Sequence, residues 1–408
     1  MVSRAQFLAA STLGVVLASS TPASGVPTER MLIVTEHGVQ PDGDQPVNAR
    51  VNKLIEDVAA AGGGTLIFPA GVYPVDSEGI RMGHQVTIMG MGSATIFRPV
   101  GTWESLGGVF RIGTDTSRSE KPVARTGLFN LTIKPGVDLF RHSEPIPNTV
   151  GILYNTYLGQ KIDEPDAAHR ISGITLWDLD MGIKLKGIDD QGCTVTEVRG
   201  RRFLRSALTV GDIKQATAAD NSFSMIDLSS ANRAQLDAAT LEIYTSNCTF
   251  SQVKTWYSKR PLSFDASDKA GAGIYVRGTR NSFTQCDAQD NGGHGFVVDF
   301  PNNSFTNCIA DSNGYADNVS GAAGKGEAHG FHINEHAQGT QLLGCQALNR
   351  VRKDPGQKIG FWVHENNSEV TLIGSTAANT ESADSTDSLS SSQKVLISSD
   401  EEKESENA

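Results

Sequence analysis

Ionisable and aromatic side chains recur at two fixed positions of a short apolar strand pattern that returns along the second half of the chain. Its copies are Gly182–Lys186, Ala207–Gly211, Thr240–Tyr244, Gly273–Arg277, Gly295–Asp299, Gly330–Asn334 and Gly360–His364. The middle position, the first column, holds Lys184, Thr209, Glu242, Tyr275, Val297, His332 and Trp362. The last position, the second column, holds Lys186, Gly211, Tyr244, Arg277, Asp299, Asn334 and His364. Residues two apart in a strand share a face, so stacked copies would place both columns on one surface.

Carboxylates, a guanidinium, an imidazole and aromatic rings on one surface are the groups that bind and process sugars. We predict a catalytic centre around Arg277, and we regard a plain solvated sheet face or a salt-bridged ladder as the alternative. The predicted catalytic residues are Glu242, Tyr275, Arg277, Asp299 and His332. The predicted substrate-binding residues are Lys184, Lys186, Tyr244, Asn334, Trp362 and His364.

Two reactions would use these groups differently. Glycoside hydrolysis needs two carboxyl groups, and Glu242 and Asp299 lie two copies apart, with roughly 10 Å between their backbones. This backbone distance allows their carboxyl groups to be ~6.5–9.5 Å apart, the separation found in inverting enzymes. Elimination needs a cation that neutralises a uronate carboxylate, for which Arg277 is the candidate, and a base. The candidate bases are Tyr275, His332 and Lys184. The sequence leaves the choice open, and in a third interpretation both carboxylates only pair with Arg277.

No metal or other cofactor is predicted. The local acidic pairs, Asp178 with Asp180 and Asp265 with Asp268, match no calcium-loop pattern, so we interpret them as surface acids; calcium is possible but has no motif in its support.

Histidines are dense around residues 329–336, but nothing there fixes three ligands on one side of a strand. His332 and Asn334 share a face, whereas His329 precedes the glycine and His336 is near a turn. His294 and His329 occupy matching positions in successive copies, where they are either stacked corner residues or catalytic groups.

A second strand type alternates with the first and has an aromatic or leucine anchor at 223, 250, 283, 305, 342 and 372. A single copy cannot bury its apolar face, whereas stacked copies can. The five cysteines include Cys286, Cys308 and Cys345 at one inward position, which favours packing over disulfide bonding. The pattern predicts roughly ten stacked rungs between about 65 and 380.

The N-terminal part has a turn at Gly38–Gly43, an amphipathic helix at about 46–61, the run 62–75 that begins Gly-Gly-Gly-Thr-Leu-Ile-Phe-Pro, and a strand that ends at Gly90-Met91-Gly92. This order resembles the pectate lyase superfamily, specifically its rhamnogalacturonase/epimerase-like pectate lyase branch. The resemblance implies an all-β fold, a single-stranded right-handed parallel β-helix whose open end is covered by the helix. The branch includes hydrolases, lyases, transferases and phage tail fibres, some of them trimeric, so the resemblance leaves the reaction open and allows a homo-oligomer.

The two ends of the chain differ in amino-acid composition from the rest. Residues 1–25 have a single early charge, an apolar run and small residues, which predicts a signal peptide and a secreted protein, with the β-helix at 26–380. Residues 381–408 are rich in Ser, Asp and Glu and predict a mostly disordered acidic tail. The net charge of −11 argues against nucleic acid as a partner, and no later stretch is long and apolar enough for a membrane span.

The sequence therefore predicts a secreted carbohydrate-active enzyme that cleaves a uronate-containing polysaccharide as a lyase or glycoside hydrolase. The alternative is a non-catalytic glycan-binding or surface protein of the same fold. The predicted partner in both cases is a polysaccharide or oligosaccharide.

Overall fold

The computed structural model describes residues 30–113, 123–138, 141–155, 168–187, 191–213, 218–261, 267–315, 328–350, 356–367, 369–378, 380, 382–384 and 396–399. The predicted signal peptide lies outside these residues. One α-helix, α1 (Asn48–Ala60), buries Val51, Ile55 and Val58 against the first rungs, which confirms the predicted cap. Two short 3-10 helices occupy Val34–His37 and Gly92–Ala94.

Parallel strands wind around three sides of a long core, so that each rung contributes to sheet I, sheet II and sheet III in turn. Sheet I contains β1 (Met31–Ile33), β2 (Gly64–Ile67), β5 (Val86–Met89), β17 (Ser282–Thr284), β20 (Ser304–Thr306) and β23 (Gln341–Leu343). Sheet II contains β3 (Gly71–Val75), β6 (Thr95–Pro99), β18 (Asp287–Gln289), β21 (Ile309–Asp311) and β24 (Gln346–Leu348).

Longer strands pass the corner from sheet I into sheet II without a break. They are β8 (Gly127–Ile133), β10 (Arg170–Leu185), β11 (Thr194–Phe203), β13 (Ser222–Ser229), β15 (Thr249–Trp256), β26 (Thr371–Ala378) and β28 (Leu396–Ser399). Sheet III contains the end of β10 together with β4 (Ile80–Arg81), β7 (Gly107–Gly113), β9 (Ile146–Asn155), β12 (Leu208–Val210), β14 (Leu241–Ile243), β16 (Ile274–Val276), β19 (Phe296–Val298), β22 (Ala328–Ile333), β25 (Gln357–Val363) and β27 (Ser382–Asp384). β27 and β28 carry the pairing into the segment predicted as a tail, most of which lies outside the described residues.

From β8 onward, the corner between sheets I and II is turned by one residue in the left-handed region. Non-glycine residues hold this position in many rungs, with φ between 52° and 55°. They are Asn130, Glu197, Met225, Gln252, Gln285 and Asn307. Such a conformation costs about 1 kcal/mol or more for a residue with a Cβ, and it persists because the parallel hydrogen bonds on both sides hold it. From β8 onward this corner contains no insertion, so in those rungs the described connecting segments lie at the other two corners.

Stacked side chains fill the core. The rings of Phe223, Phe250, Phe283 and Phe305 stack in that order, with centroid separations of 4.7, 4.9 and 4.6 Å. All five cysteines are buried and none forms a disulfide bond with another, as their predicted packing role requires. No helix within the described ranges is both long and apolar enough to cross a membrane.

Candidate functional site

The predicted columns stand on sheet III in the predicted order. The paired neighbours of the first column run from Lys184 through Glu242 and Tyr275 to His332 and Trp362. The second column follows the same order, because each backbone N–H donates to the carbonyl of the preceding rung, as from Arg277 to Ile243 and from Asp299 to Val276.

The first column is largely buried, so the solvated sheet face that we considered as the alternative is not observed along it. Glu242, Tyr275 and His332 are 7%, 5% and 6% exposed, because segments between sheets II and III lie over them. Tyr275 packs against Ala239 and Ala272 of these segments, so its ring is not exposed for stacking on a sugar.

The Glu242 carboxylate is fully engaged inside the protein. Its Oε1 accepts hydrogen bonds from Ser206 Oγ at 2.7 Å and Ala239 N at 3.0 Å, and its Oε2 accepts from the Tyr244 hydroxyl at 2.7 Å. Burial and the adjacent Glu242 carboxylate raise the pKa of Tyr244 well above its usual range. The buried Glu242 is therefore paired with the partly buried Tyr244, and the structure does not bring Glu242 into the open groove with Asp299.

An open groove of about 580 Å³ lies along the second column. Its lining includes the predicted residues Arg277, Asp299, His332, Asn334, Trp362 and His364, together with Asp268, Phe300, Glu335 and His336. The structure therefore brings together six of the predicted site residues. Lys184, which is partly buried with its pKa lowered by burial, and the exposed Lys186 do not line this groove.

A chain of hydrogen bonds connects the polar groups of the groove. The Tyr275 hydroxyl donates to Asp299 Oδ2 at 2.5 Å, and Asn334 Nδ2 donates to Asp299 Oδ1. Asn334 Oδ1 lies 2.8 Å from His332 Nε2, which is 3.4 Å from Asp268 Oδ2. Burial and then the bond to Asp299 raise the pKa of Tyr275 well above its ordinary value. The phenol of Tyr275 therefore keeps its proton at neutral pH.

Arg277 is the exposed cation of the groove. Its guanidinium carbon lies 5.7 Å from the centre of the Phe300 ring. Among the residues that the structure describes, no carboxylate forms an ion pair with it, so the interpretation in which Glu242 and Asp299 pair with Arg277 is not observed. A cation with this exposure can bind an anionic group of a ligand.

Asp268 belongs to the groove although the sequence analysis placed it in a surface pair; its proposed partner Asp265 lies outside the described residues. Its carboxylate faces the Nε2 atoms of His294, at 3.8 Å, and His332, at 3.4 Å. Hydrogen bonds from these two imidazoles hold the pKa of Asp268 well below its ordinary range. Asp268 comes from a connecting segment before β16, and the strand alternation that located the columns carries no information on such a segment.

Three histidines meet beside Asp268, contrary to the expectation that no three ligands would share a side. One ring nitrogen from each of His294, His329 and His332 lies within 4.8 Å of the other two. The Trp362 ring stacks on His332 at 4.1 Å between centroids, with an angle of 22° between planes. The matching positions of His294 and His329 signalled part of this cluster.

The acidic pair Asp178 and Asp180 is buried, so its interpretation as a surface pair is wrong. Asp178 accepts from Arg202 Nε at 2.7 Å and from the backbone of Ser143, and Asp180 accepts from Arg205 Nε at 2.7 Å. Both carboxylates are neutralised by arginines of the next rung and have a structural role.

Residues 182–377 match the family model described as "Right handed beta helix region". The chain is a right-handed parallel β-helix. No curated protein matches its sequence significantly.

Solved β-helix structures resemble the chain at low sequence identity. The A-module of a mannuronan C-5 epimerase from Azotobacter vinelandii is 14% identical, with a TM-score of 0.57 over 87% of this chain and 97% of that one. A mutant tailspike protein of E. coli bacteriophage HK620, in complex with a pentasaccharide, is 13% identical, with a TM-score of 0.54 over 83% of this chain and 59% of that one.

The DFA-IIIase of Arthrobacter chlorophenolicus A6 is 11% identical, with a TM-score of 0.54 over 85% of this chain and 94% of that one. At these identities the likeness establishes the β-helix fold. It is not specific to the pectate lyase branch.

Proposed function

We propose that the protein is a secreted enzyme that cleaves a uronate-containing polysaccharide by β-elimination in the groove of sheet III. The observation that carries this proposal is the exposed guanidinium of Arg277, which forms no ion pair with a carboxylate of the described residues, in a groove that the His332 imidazole also lines. The similar structures include a mannuronan C-5 epimerase and a tailspike protein in complex with a pentasaccharide, which supports a glycan ligand.

In this mechanism Arg277 binds the uronate carboxylate and stabilises the negative charge that develops there when the adjacent carbon loses its proton. His332 takes that proton, and Asp268, at 3.4 Å, stabilises the imidazolium that forms. The electron pair of the broken C–H bond forms a carbon–carbon double bond and expels the glycosidic oxygen, which acquires a proton from water.

Asn334 controls which nitrogen of His332 can act. Its Nδ2 donates to Asp299, so its Oδ1 faces His332 Nε2 and favours the proton on that atom. His332 Nδ1 is buried without a hydrogen-bond partner among the described residues. Asn334 and Asp268 therefore both favour the proton on Nε2, and for His332 to act as the base this proton moves to Nδ1, which leaves the Nε2 lone pair toward the substrate.

Hydrolysis by Glu242 and Asp299 is the weaker interpretation. Glu242 is buried under Tyr244 and engaged in three hydrogen bonds, so it has no access to a glycosidic bond in the groove. Tyr275 is disfavoured as the base because its pKa is raised and its hydroxyl already donates to Asp299.

The test is incubation with a panel of polyuronates, read by the ultraviolet absorbance of unsaturated uronate ends and by a reducing-sugar assay. We expect Arg277→Ala to lower turnover by about 10²–10³-fold, the range for loss of one charge-stabilising donor. Arg280→Ala is the matched control, because Arg280 is also exposed and its Nε bonds Asn247, outside the groove. Reducing ends without absorbance would indicate hydrolysis, and binding without products would indicate a non-catalytic protein.

A further inference from the structure

The cluster of His294, His329 and His332 has the composition of a metal site. The ring centroids of His294 and His332 are 4.4 Å apart, and those of His294 and His329 are 5.0 Å apart. The three rings come from adjacent rungs at the start of β19 and in β22, so the parallel backbone fixes their mutual position. The proposed elimination uses only His332 of the three.

The hydrogen-bonding pattern leaves ring nitrogens of the cluster available. His294 Nδ1 accepts from the backbone N–H of His329 at 2.9 Å, so its proton is on Nε2, toward Asp268, and metal binding through Nε2 requires this ring to change tautomer and give up that hydrogen bond. The Nδ1 atoms of His329 and His332 are buried and have no hydrogen-bond partner among the described residues. Buried polar atoms without a partner are uncommon in folded proteins, and an ion is one of the recognised reasons for them.

We propose that His294, His329 and His332 bind a divalent transition-metal ion of the zinc type, with Asp268 as the adjacent carboxylate. Three imidazoles favour Zn²⁺ or Co²⁺ over Ca²⁺ and Mg²⁺, which prefer oxygen ligands. A tetrahedral ion with bonds of about 2.0–2.1 Å holds its nitrogens about 3.4 Å apart, so the ring nitrogens need to approach by at most about 1.4 Å. The Asp268 carboxylate can be the fourth ligand or can orient the rings by hydrogen bonds to Nε2.

The site has a regulatory consequence, and this part rests on the proposed function. An imidazole that donates its lone pair to a metal cannot also take a proton from the substrate. Metal binding and elimination at His332 therefore exclude each other, so the ion acts as an inhibitor.

The binding test uses the full chain after treatment with a chelator and contains no substrate. Titration with Zn²⁺ by calorimetry, and with Co²⁺ by visible absorption, should show one saturable site with the intense bands of tetrahedral cobalt. His329→Phe keeps a ring stacked on Trp362, which lies 5.7 Å from His329, but removes the ligand, so we expect the affinity to fall by about 100-fold or more. His336→Ala is the matched control, because His336 is 73% exposed and outside the cluster.

Absence of a saturable site in the wild type, or equal affinity in wild type and a folded His329→Phe variant, overturns the proposal. If His329→Phe does not fold by circular dichroism, Asp268→Asn replaces it, with an expected loss of about 10–100-fold. With an active substrate, Zn²⁺ should inhibit the wild type and a chelator should restore turnover. Metal binding, combined with no elimination on any polyuronate by the chelator-treated protein, refutes the proposed function and leaves the site intact, and elimination without metal binding does the reverse.

Discussion

Phe305 is the last ring of the four-membered stack inside the β-helix, and its replacement by alanine tests the assigned rung register. The side chain is fully buried, stacks on Phe283 at 4.6 Å with 6° between the planes, and meets the edge of Phe296 at 5.8 Å. Truncation of a buried phenylalanine costs about 3–5 kcal/mol, which includes the lost ring contacts. For ~300 ordered residues, an unfolding entropy of ~2.1 cal/mol/K per residue converts this loss into a fall of about 5–8 °C in Tm.

The assay is thermal and denaturant unfolding of wild type and Phe305→Ala, followed by circular dichroism. Ile373→Ala is the control, because Ile373 is 49% exposed and its truncation should change stability by less than about 0.5 kcal/mol. A Tm for Phe305→Ala equal to that of the wild type would refute the inward stack and the register on which both columns depend.

Two further predictions separate structural from catalytic roles and test the effect of burial on pH dependence. Glu242→Gln should lower the free energy of unfolding by about 1–3 kcal/mol, because the amide cannot accept hydrogen bonds from Ser206, Ala239 and Tyr244 together. Turnover should stay within a few-fold of the wild type. Loss of turnover by orders of magnitude in a folded variant would restore the hydrolase interpretation. Burial lowers the pKa of His169 from 6.5 to about 3, so between pH 6.5 and 3 the unfolded state binds more protons than the folded state. The contribution of the neutral His169 to folding stability is therefore complete above pH 6.5 and is lost as the pH falls toward 3. Denaturant midpoints measured across this range should vary less with pH in His169→Gln, and identical profiles would contradict the assignment.

The sequence sufficed to predict the stacked rungs and the order of the residues along both columns. Period-two alternation decides which side chains of a strand face outward, and the single left-handed residue at the corner of sheets I and II keeps successive rungs in register. Arg277, Asp299 and Asn334 consequently share one groove, as their spacing predicted.

The covering of the first column could not be predicted in this way. Whether Tyr275 and Glu242 face solvent depends on where the segments that carry Ala239 and Asp268 lie, and those segments have no repeat or alternation. The same reason explains Asp178, whose neutralising arginine comes from the next rung and leaves no local signal in the sequence.

Each rung of the β-helix contacts chiefly its immediate neighbours, and this makes the groove a modular surface. The second column from Tyr244 to His364 spans five rungs, about 19 Å at ~4.8 Å per step. Duplication of one complete rung would lengthen this surface by one step and leave the others in place, because no contact across the fold has to be rebuilt. A binding surface of this kind can adjust to the length of a polymer by the number of its repeats, while the chemistry at any one position changes by a single substitution.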